Sequence, residues 1–297
     1  MLDLLRDPSG GEPLRLSGAS LVGGGGRTYP IVRSVPRFVP SEQYAETFGY
    51  QWNLFATTQL DSASGTSESR DVFVEKTGLP LEKLRGKLVL DVGCGMGRFA
   101  EVVAEAGARV VGVDMSRAVD AAASNLARFE NAAVVQADLF SLPFANEAFD
   151  FIYSIGVLHH TPSTRKAFLA LLPHLRRLGR IAIWVYPRSL RWRTLMSAFY
   201  RLVTTRLPKE QLLRWSRIAD PVGRLQRVPG IGLPLKFLLP LSGHPNPEWR
   251  VLDTFDWYSP RFQWTHTKSE VESWFQEAGL TDLWRGSFPV SMAGTKP

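Results

Sequence analysis

Leu88-Val-Leu-Asp-Val-Gly-Cys-Gly-Met-Gly97, with Arg109-Val-Val-Gly-Val-Asp114 behind it, decides the fold of this 297-residue chain. The apolar, β-prone run stops at Asp91. Gly93, Gly95 and Gly97 then allow a tight turn and a close approach of backbone to ligand that a Cβ would block. Helical spacing from Phe99 to Ala106 means that the turn opens a helix. A second apolar run ends at Asp114, where a carboxylate can accept hydrogen bonds from a ribose diol. A dinucleotide site would show Gly-x-Gly-x-x-Gly facing a pyrophosphate. Here an acid heads the glycines, and it would repel phosphate but suit a cationic ligand, directly or through water.

Downstream, Asn131 to Phe140 reads as a third strand ending in Ala-Asp138, and Phe149 to Ser154 as a fourth, followed by Ile155-Gly-Val-Leu-His-His160. A turn at Leu178-Gly179 precedes a fifth strand. The expected strands are 88–92, 109–113, 133–137, 149–154 and 180–186, alternating with helices as in a parallel sheet covered on both faces. Thr267 or Ser269 can cap a helix running to Ala278 and ended by Gly279, before two last strands at 280–284 and 287–294.

These elements together resemble class I S-adenosylmethionine-dependent methyltransferases, of the bacterial type 11/12 kind, over about residues 86–187 and again from 251 to the end. The resemblance implies a Rossmann-like, seven-stranded, mostly parallel α/β sheet with an antiparallel C-terminal hairpin. It implies S-adenosyl-L-methionine as cofactor, S-adenosyl-L-homocysteine as product and no metal. It carries a cofactor site over to Asp91, Gly93, Cys94, Gly95, Gly97, Asp114, Met115, Asp138, Leu139, Ser154 and Ile155. Cys94, the one cysteine, reads as a small packing residue rather than a nucleophile.

Residues 1–40 resemble the small Trm112-like zinc-ribbon module that precedes many bacterial methyltransferases. The metal-bearing cysteines of that module fall here on Asp7, Gly10, Val22 and Gly25, so the expectation is a degenerate, metal-free segment. Residues 41–85 read as a helical cover, in which Phe48-Gly-Tyr-Gln-Trp52 is similar to an element ahead of the core in related enzymes. Tyr50, Gln51 and Trp52 are therefore candidates for substrate contact. Residues 86–297 form the expected methyltransferase domain, interrupted at about 187–250 by an Arg-, Trp- and Pro-rich helical insertion placed where such enzymes carry a lid over the acceptor. Two amphipathic helices are expected inside it, at 191–207 and 209–218.

Ten Arg and two Lys against Glu210, Asp220 and Glu248 give this insertion +9, whereas the whole chain carries +7. One cysteine excludes intramolecular disulfides and cysteine-based metal clusters. The N-terminus lacks the apolar core of a signal peptide and no run approaches the length needed to span a bilayer, so a cytoplasmic protein is expected, with peripheral membrane contact left open. For catalysis, His159 or His160 could serve as base, and Asp256, Tyr258 and His266 are further candidates for contact with the acceptor. A hydroxyl, less readily an amine, of a small, saccharide or lipid-linked acceptor is expected. Nucleic acid is the weaker partner, because Ser154-Ile-Gly-Val lacks the Pro-Pro-aromatic grip on a flipped base. An RNA-directed enzyme, a non-catalytic partner subunit that binds the cofactor, and non-methyl chemistry at the same site remain as alternatives. Acceptor identity and oligomeric state stay open.

Overall fold

The computed structural model describes residues 2–40, 43–188 and 192–297. The chain opens with β1 (Arg15–Ser17), β2 (Ser20–Val22), β3 (Thr28–Val32) and β4 (Val35–Pro36), an antiparallel four-stranded sheet in that order. Asp7 organises this unit. Its buried carboxylate accepts hydrogen bonds from the Ser9 amide (2.9 Å), Tyr29 Oη (3.0 Å) and Arg27 Nε (3.3 Å). Donors converge where the resemblance placed a metal-binding cysteine, and a Cβ on Gly23 would meet Asp7 Oδ2 at 2.1 Å. The unit is tied to the main sheet through the Phe38 amide, which donates to the Gln136 carbonyl (2.8 Å).

The helices α1 (Glu46–Leu54), α2 (Asp61–Ser64) and α3 (Glu68–Thr77) come next. The central layer then begins with β5 (Leu88–Val92), α4 (Arg98–Glu105), β6 (Arg109–Asp114), α5 (Ala118–Leu126) and β7 (Ala132–Gln136). It continues with β8 (Phe149–Ile155), α6 (Thr164–Leu171) and β9 (Leu175–Trp184). The seven-stranded order is β10-β11-β9-β8-β5-β6-β7, where β10 is Thr281–Arg285 and β11 is Ser291–Thr295. β5, β6, β7, β8 and β9 run parallel, and β11 returns antiparallel between β9 and β10. This is the expected α/β sheet. Its inner strands are apolar on both faces because helices cover both, so Leu90, Val111, Ile152 and Ile183 are buried on one side and Val89, Val110, Phe151 and Ala182 on the other.

β9 starts five residues earlier than its expected start at 180. Leu178 adopts φ +60° and the pairing jumps from Phe149–Leu175 to Phe151–Arg180, so an irregularity absorbs the Leu178-Gly179 turn inside the strand. The last strand is shorter than 287–294, because Val290 takes φ +60° at the turn that precedes it.

Between β9 and the final helix lie α7 (Trp192–Thr204), α8 (Lys209–Ser216), α9 (Ala219–Leu225), α10 (Gly232–Leu238) and α11 (Pro247–Tyr258). Arg191 of the first expected helix lies outside the described residues. Pro247 starts α11 beneath an Asn246 cap, whose side chain accepts from the Glu248 and Trp249 amides. α12 (Lys268–Glu277) starts at a capping box between Thr267 and Glu270, which selects Thr267 over Ser269 as the cap.

Candidate active site

One cavity of about 300 Å³ opens at the carboxyl ends of β5, β6, β8 and β9, where ligands bind in open α/β sheets. Its first half is built from local sequence. Gly93, Gly95 and Gly97 take φ of +78°, +53° and +93°, conformations that L side chains rarely adopt. The Gly93 and Cys94 amides donate to the Val113 carbonyl (2.7 and 3.0 Å), which pins the turn to β6. A Cβ on Gly93 would fall 2.4 Å from the Val157 methyls and one on Gly95 3.1 Å from the Trp52 indole. Asp114 accepts from the Gly95 amide (3.0 Å) and from the Ser116 amide and hydroxyl (2.8 and 2.7 Å). Burial pushes its carboxyl up, and those three donors counter the push. Met115, Leu139 and Ile155 complete this wall, with Cys94.

Several residues of the expected cofactor set stand off the cavity wall, and Cys94 reaches it only from a buried position. Asp91 is buried behind the glycine turn and is absent from the cavity wall, because its position on β5 turns the side chain into the packed layer beside Tyr153. Burial raises its carboxyl to about 7, and Oδ2 has no hydrogen-bond partner among the described residues. Gly97 lies behind the wall as the first residue before α4. Ser154 is also inside, where its hydroxyl donates to the Val92 carbonyl (2.9 Å) and clamps β8 to β5. Asp138 accepts from the Phe140 amide (3.0 Å) and shapes the turn that presents Leu139. Cys94 Sγ packs near Gly112, where a Cβ would be 3.0 Å away, and burial raises the thiol well above its ordinary range.

The second half is assembled from distant segments. From α1, Gln51 Nε2 donates to Asp256 Oδ1 (3.2 Å), and from the end of β9 the Tyr186 hydroxyl donates to Asp256 Oδ2 (3.4 Å). Burial raises the Asp256 carboxyl to about 6, against the pull of those two donors and of Arg201. Asp253, one turn earlier on α11, is held by the Ser242 hydroxyl (2.9 Å) and raised by burial to about 7. Trp52 and His160 share this wall. His160 Nδ1 bonds the Phe262 carbonyl (2.9 Å), so Nδ1 carries the proton and Nε2 the lone pair. Burial lowers this imidazole to about 4, which leaves it neutral and weakly basic.

Four other candidates are not on the wall. His159 is fully buried against Tyr186, ring centroids 3.9 Å apart, and burial lowers it well below its ordinary value. Tyr258 faces the opposite side of α11, donating to the Pro240 carbonyl (2.8 Å) inside a separate apolar cluster with Leu212, Leu213 and Phe255. His266 bridges Glu270 and Thr164 (2.9 Å each) and so joins α12 to α6. Tyr50 packs on Phe255 and under the Lys209 ammonium, also off the wall.

Lys76, Arg98, Asp253, Trp184 and Tyr186 line the cavity without having been singled out in the sequence. Tyr186 and Trp184 carried a signal, since the expected strand 180–186 ends on them at the ligand-binding edge, and the observed β9 stops at Trp184. Lys76 carried none: it reaches the site only because α3 crosses β9, which sets its ammonium 3.4 Å from the Trp184 ring centroid. Burial, and the nearby Arg98, lower it to about 7. The 187–250 insertion lines no part of the cavity among the described residues. The cover is α11, through Leu252, Asp253, Asp256 and Trp257, and the insertion packs outside it.

Comparison with known proteins agrees with this geometry. Residues 90–183 match the family model described as a methyltransferase domain. The probable tRNA methyltransferase 9B of Homo sapiens is 32% identical over 108 residues, 35% of this chain and 22% of that protein. Methyltransferase GfsG of Streptomyces halstedii is 33% identical over 122 residues, 39% of this chain and 44% of that protein. The chain thus spans less than half the length of these relatives. Among solved structures, one described as a Zn-dependent alcohol dehydrogenase from Rhodobacter sphaeroides aligns over 84% of this chain and 97% of its own, with a TM-score of 0.50. At 15% identity that likeness concerns the fold alone. The matched family model lies over the strands that build the glycine turn and Asp114, so residues 90–183 are identified as a methyltransferase domain.

Proposed function

We propose that this protein transfers a methyl group from S-adenosylmethionine to a hydroxyl of a small or lipid-linked acceptor. The observation that carries this reading is the continuity of the cavity, which joins the glycine turn and Asp114 to the Asp256–Tyr186 pair. At the first end, Asp114 would hold the ribose, Met115 and Leu139 would flank the adenine, and the Gly93–Gly95 backbone would meet the amino-acid part. Their lack of side chains lets Val157 and the Trp52 indole pack directly against this backbone, while Gly93 and Gly95 remain on the cavity wall. The bound cofactor would supply an electrophilic methyl carbon on a sulfonium.

What the chain itself supplies is position and a proton sink. An acceptor hydroxyl at the Tyr186 end can pass its proton to the Tyr186 oxygen as that residue hands its own to Asp256. His160, with its low basicity, serves better as a hydrogen-bond acceptor through Nε2 than as the base. The apolar wall of Val157, Leu252 and Trp257 excludes water from the reacting oxygen. An RNA acceptor is favoured by the +9 of the insertion and by the name of one relative. Against it stands the enclosure of the Tyr186–Asp256 end by α1 and α11, which suits a small acceptor group better than a polynucleotide.

The test is calorimetric titration with S-adenosylhomocysteine. Asp114→Ala removes two charge-assisted hydrogen bonds to a ribose, at roughly 1.5 kcal/mol or more each, so affinity should fall about a hundredfold. An unchanged affinity would remove the donor assignment.

A further inference from the structure

α7 packs inward through Tyr200, which meets Trp215 and Tyr258, yet it keeps a second apolar stripe on its outer side. Its inward side makes polar contacts: Arg201 donates from Nη1 to the Trp257 carbonyl (3.1 Å) and from Nη2 to the Pro260 carbonyl (2.6 Å), and the Thr204 hydroxyl donates to the Tyr258 carbonyl (3.0 Å). Its outward side is apolar. Leu195, Phe199, Leu202 and Val203 follow the i, i+4, i+7, i+8 spacing of a single stripe and are 53–63% exposed. α10 packs beside it, joined by the Tyr200 hydroxyl donating to the Leu238 carbonyl (2.9 Å), and adds Leu233 and Leu238 at 66% and 57% exposure. A helix that met only water would carry the opposite pattern. Surfaces of this kind mark a binding face.

The charges around the stripe identify the occupant. Arg206 follows α7, Arg227 follows α9 and Lys236 lies on α10; all three are exposed, and none pairs with a carboxylate among the described residues. Apolar side chains together with unpaired cations match an anionic bilayer, where hydrocarbon takes the stripe and lipid phosphates take the cations. An RNA would leave the leucines and phenylalanine exposed, and a protein partner would need matching acids beside an apolar groove.

We propose that the outer face of α7 and α10 docks this protein on an anionic lipid surface, with the rest of the insertion as its mount on α11. The inference is independent of the methyl acceptor. In flotation assays the full chain should rise with vesicles of phosphatidylcholine and phosphatidylglycerol, much less with phosphatidylcholine alone, and less as salt increases. Phe199→Gln with Leu202→Gln should weaken partitioning by at least about tenfold. Lys236→Gln should weaken it by about fivefold and leave the apolar part intact. Unchanged affinity for S-adenosylhomocysteine shows that each variant is folded. The proposal is overturned if the wild-type chain stays with the soluble fraction, or if the double variant floats as well as the wild type. Self-association or RNA retention that the double variant abolishes, without vesicle binding, would assign the face to that partner instead.

Discussion

Replacing Asp91 by Asn should flatten the response of folding stability to pH. In the fold this carboxyl is raised by burial from 3.8 to about 7, against the pull of Tyr153 and the Ala100 backbone and with the neighbouring Asp114 carboxylate adding to the rise. The folded state therefore prefers the protonated acid. The stabilisation that results is complete below the unfolded value and is lost as pH rises through about 7. The rise from 3.8 to about 7 corresponds to about 4 kcal/mol in all, of which more than half falls between pH 5 and pH 8. Asn has the same shape and cannot ionise, so this part of the slope should vanish. Asp114, Asp253 and Asp256 are raised by burial as well, so a residual slope of the same sign should persist. Urea unfolding followed by tryptophan fluorescence at pH 5 and pH 8 measures the change directly. If the wild type and Asp91→Asn lose the same stability between the two pH values, to within about 0.5 kcal/mol, the account of Asp91 as a buried acid is refuted.

Two further outcomes follow from the same site. With a hydroxyl acceptor, turnover should rise as pH climbs through about 6, where Asp256 ionises and can take the proton relayed by Tyr186; Asp256→Asn should lose both the rate and that limb of the profile. A rate profile for Asp256→Asn that matches the wild type would exclude the relay. Gly93→Ala combines φ +78° with a methyl 2.4 Å from Val157, and should cost about 1–3 kcal/mol and most of the cofactor affinity. Gly97→Ala meets only ordinary contacts at 3.4 Å, so backbone strain alone should cost about 1 kcal/mol; equal losses in the two variants, measured by denaturation, would contradict the steric argument.

The cofactor end of the site was legible because its information is local. Strand, glycine turn, helix and acid sit within a few residues of one another, and the φ values that Gly93, Gly95 and Gly97 adopt are ones the sequence anticipates by offering no Cβ. Even there, side-chain direction was not readable. Asp91 and Asp138 occupy the expected positions, yet one turns into the packed layer and the other closes a turn, and Leu139 and Ile155 face the cavity in place of their neighbours. A strand sends successive side chains to opposite faces, so an error of one residue exchanges wall for core.

The acceptor end was legible only as residue types. Asp256 was singled out, but Tyr258, two residues along α11, points to the far side of the helix, and His159 and His266 have structural partners that no spacing announces. The +9 insertion drew attention as a lid by its position, whereas α11 supplies the cover and the insertion presents an apolar and basic face outward. By itself, then, the sequence determined the parallel sheet and the glycine turn, since apolar periodicity and missing Cβ atoms act over a few residues, and the kind of donor followed only from the resemblance those elements carry. Tertiary structure alone decided what stands opposite the donor. Gln51 and Asp256 meet across 205 residues of chain, and Lys76 reaches Trp184 because α3 crosses β9; such contacts depend on helix packing that is spread over the whole molecule.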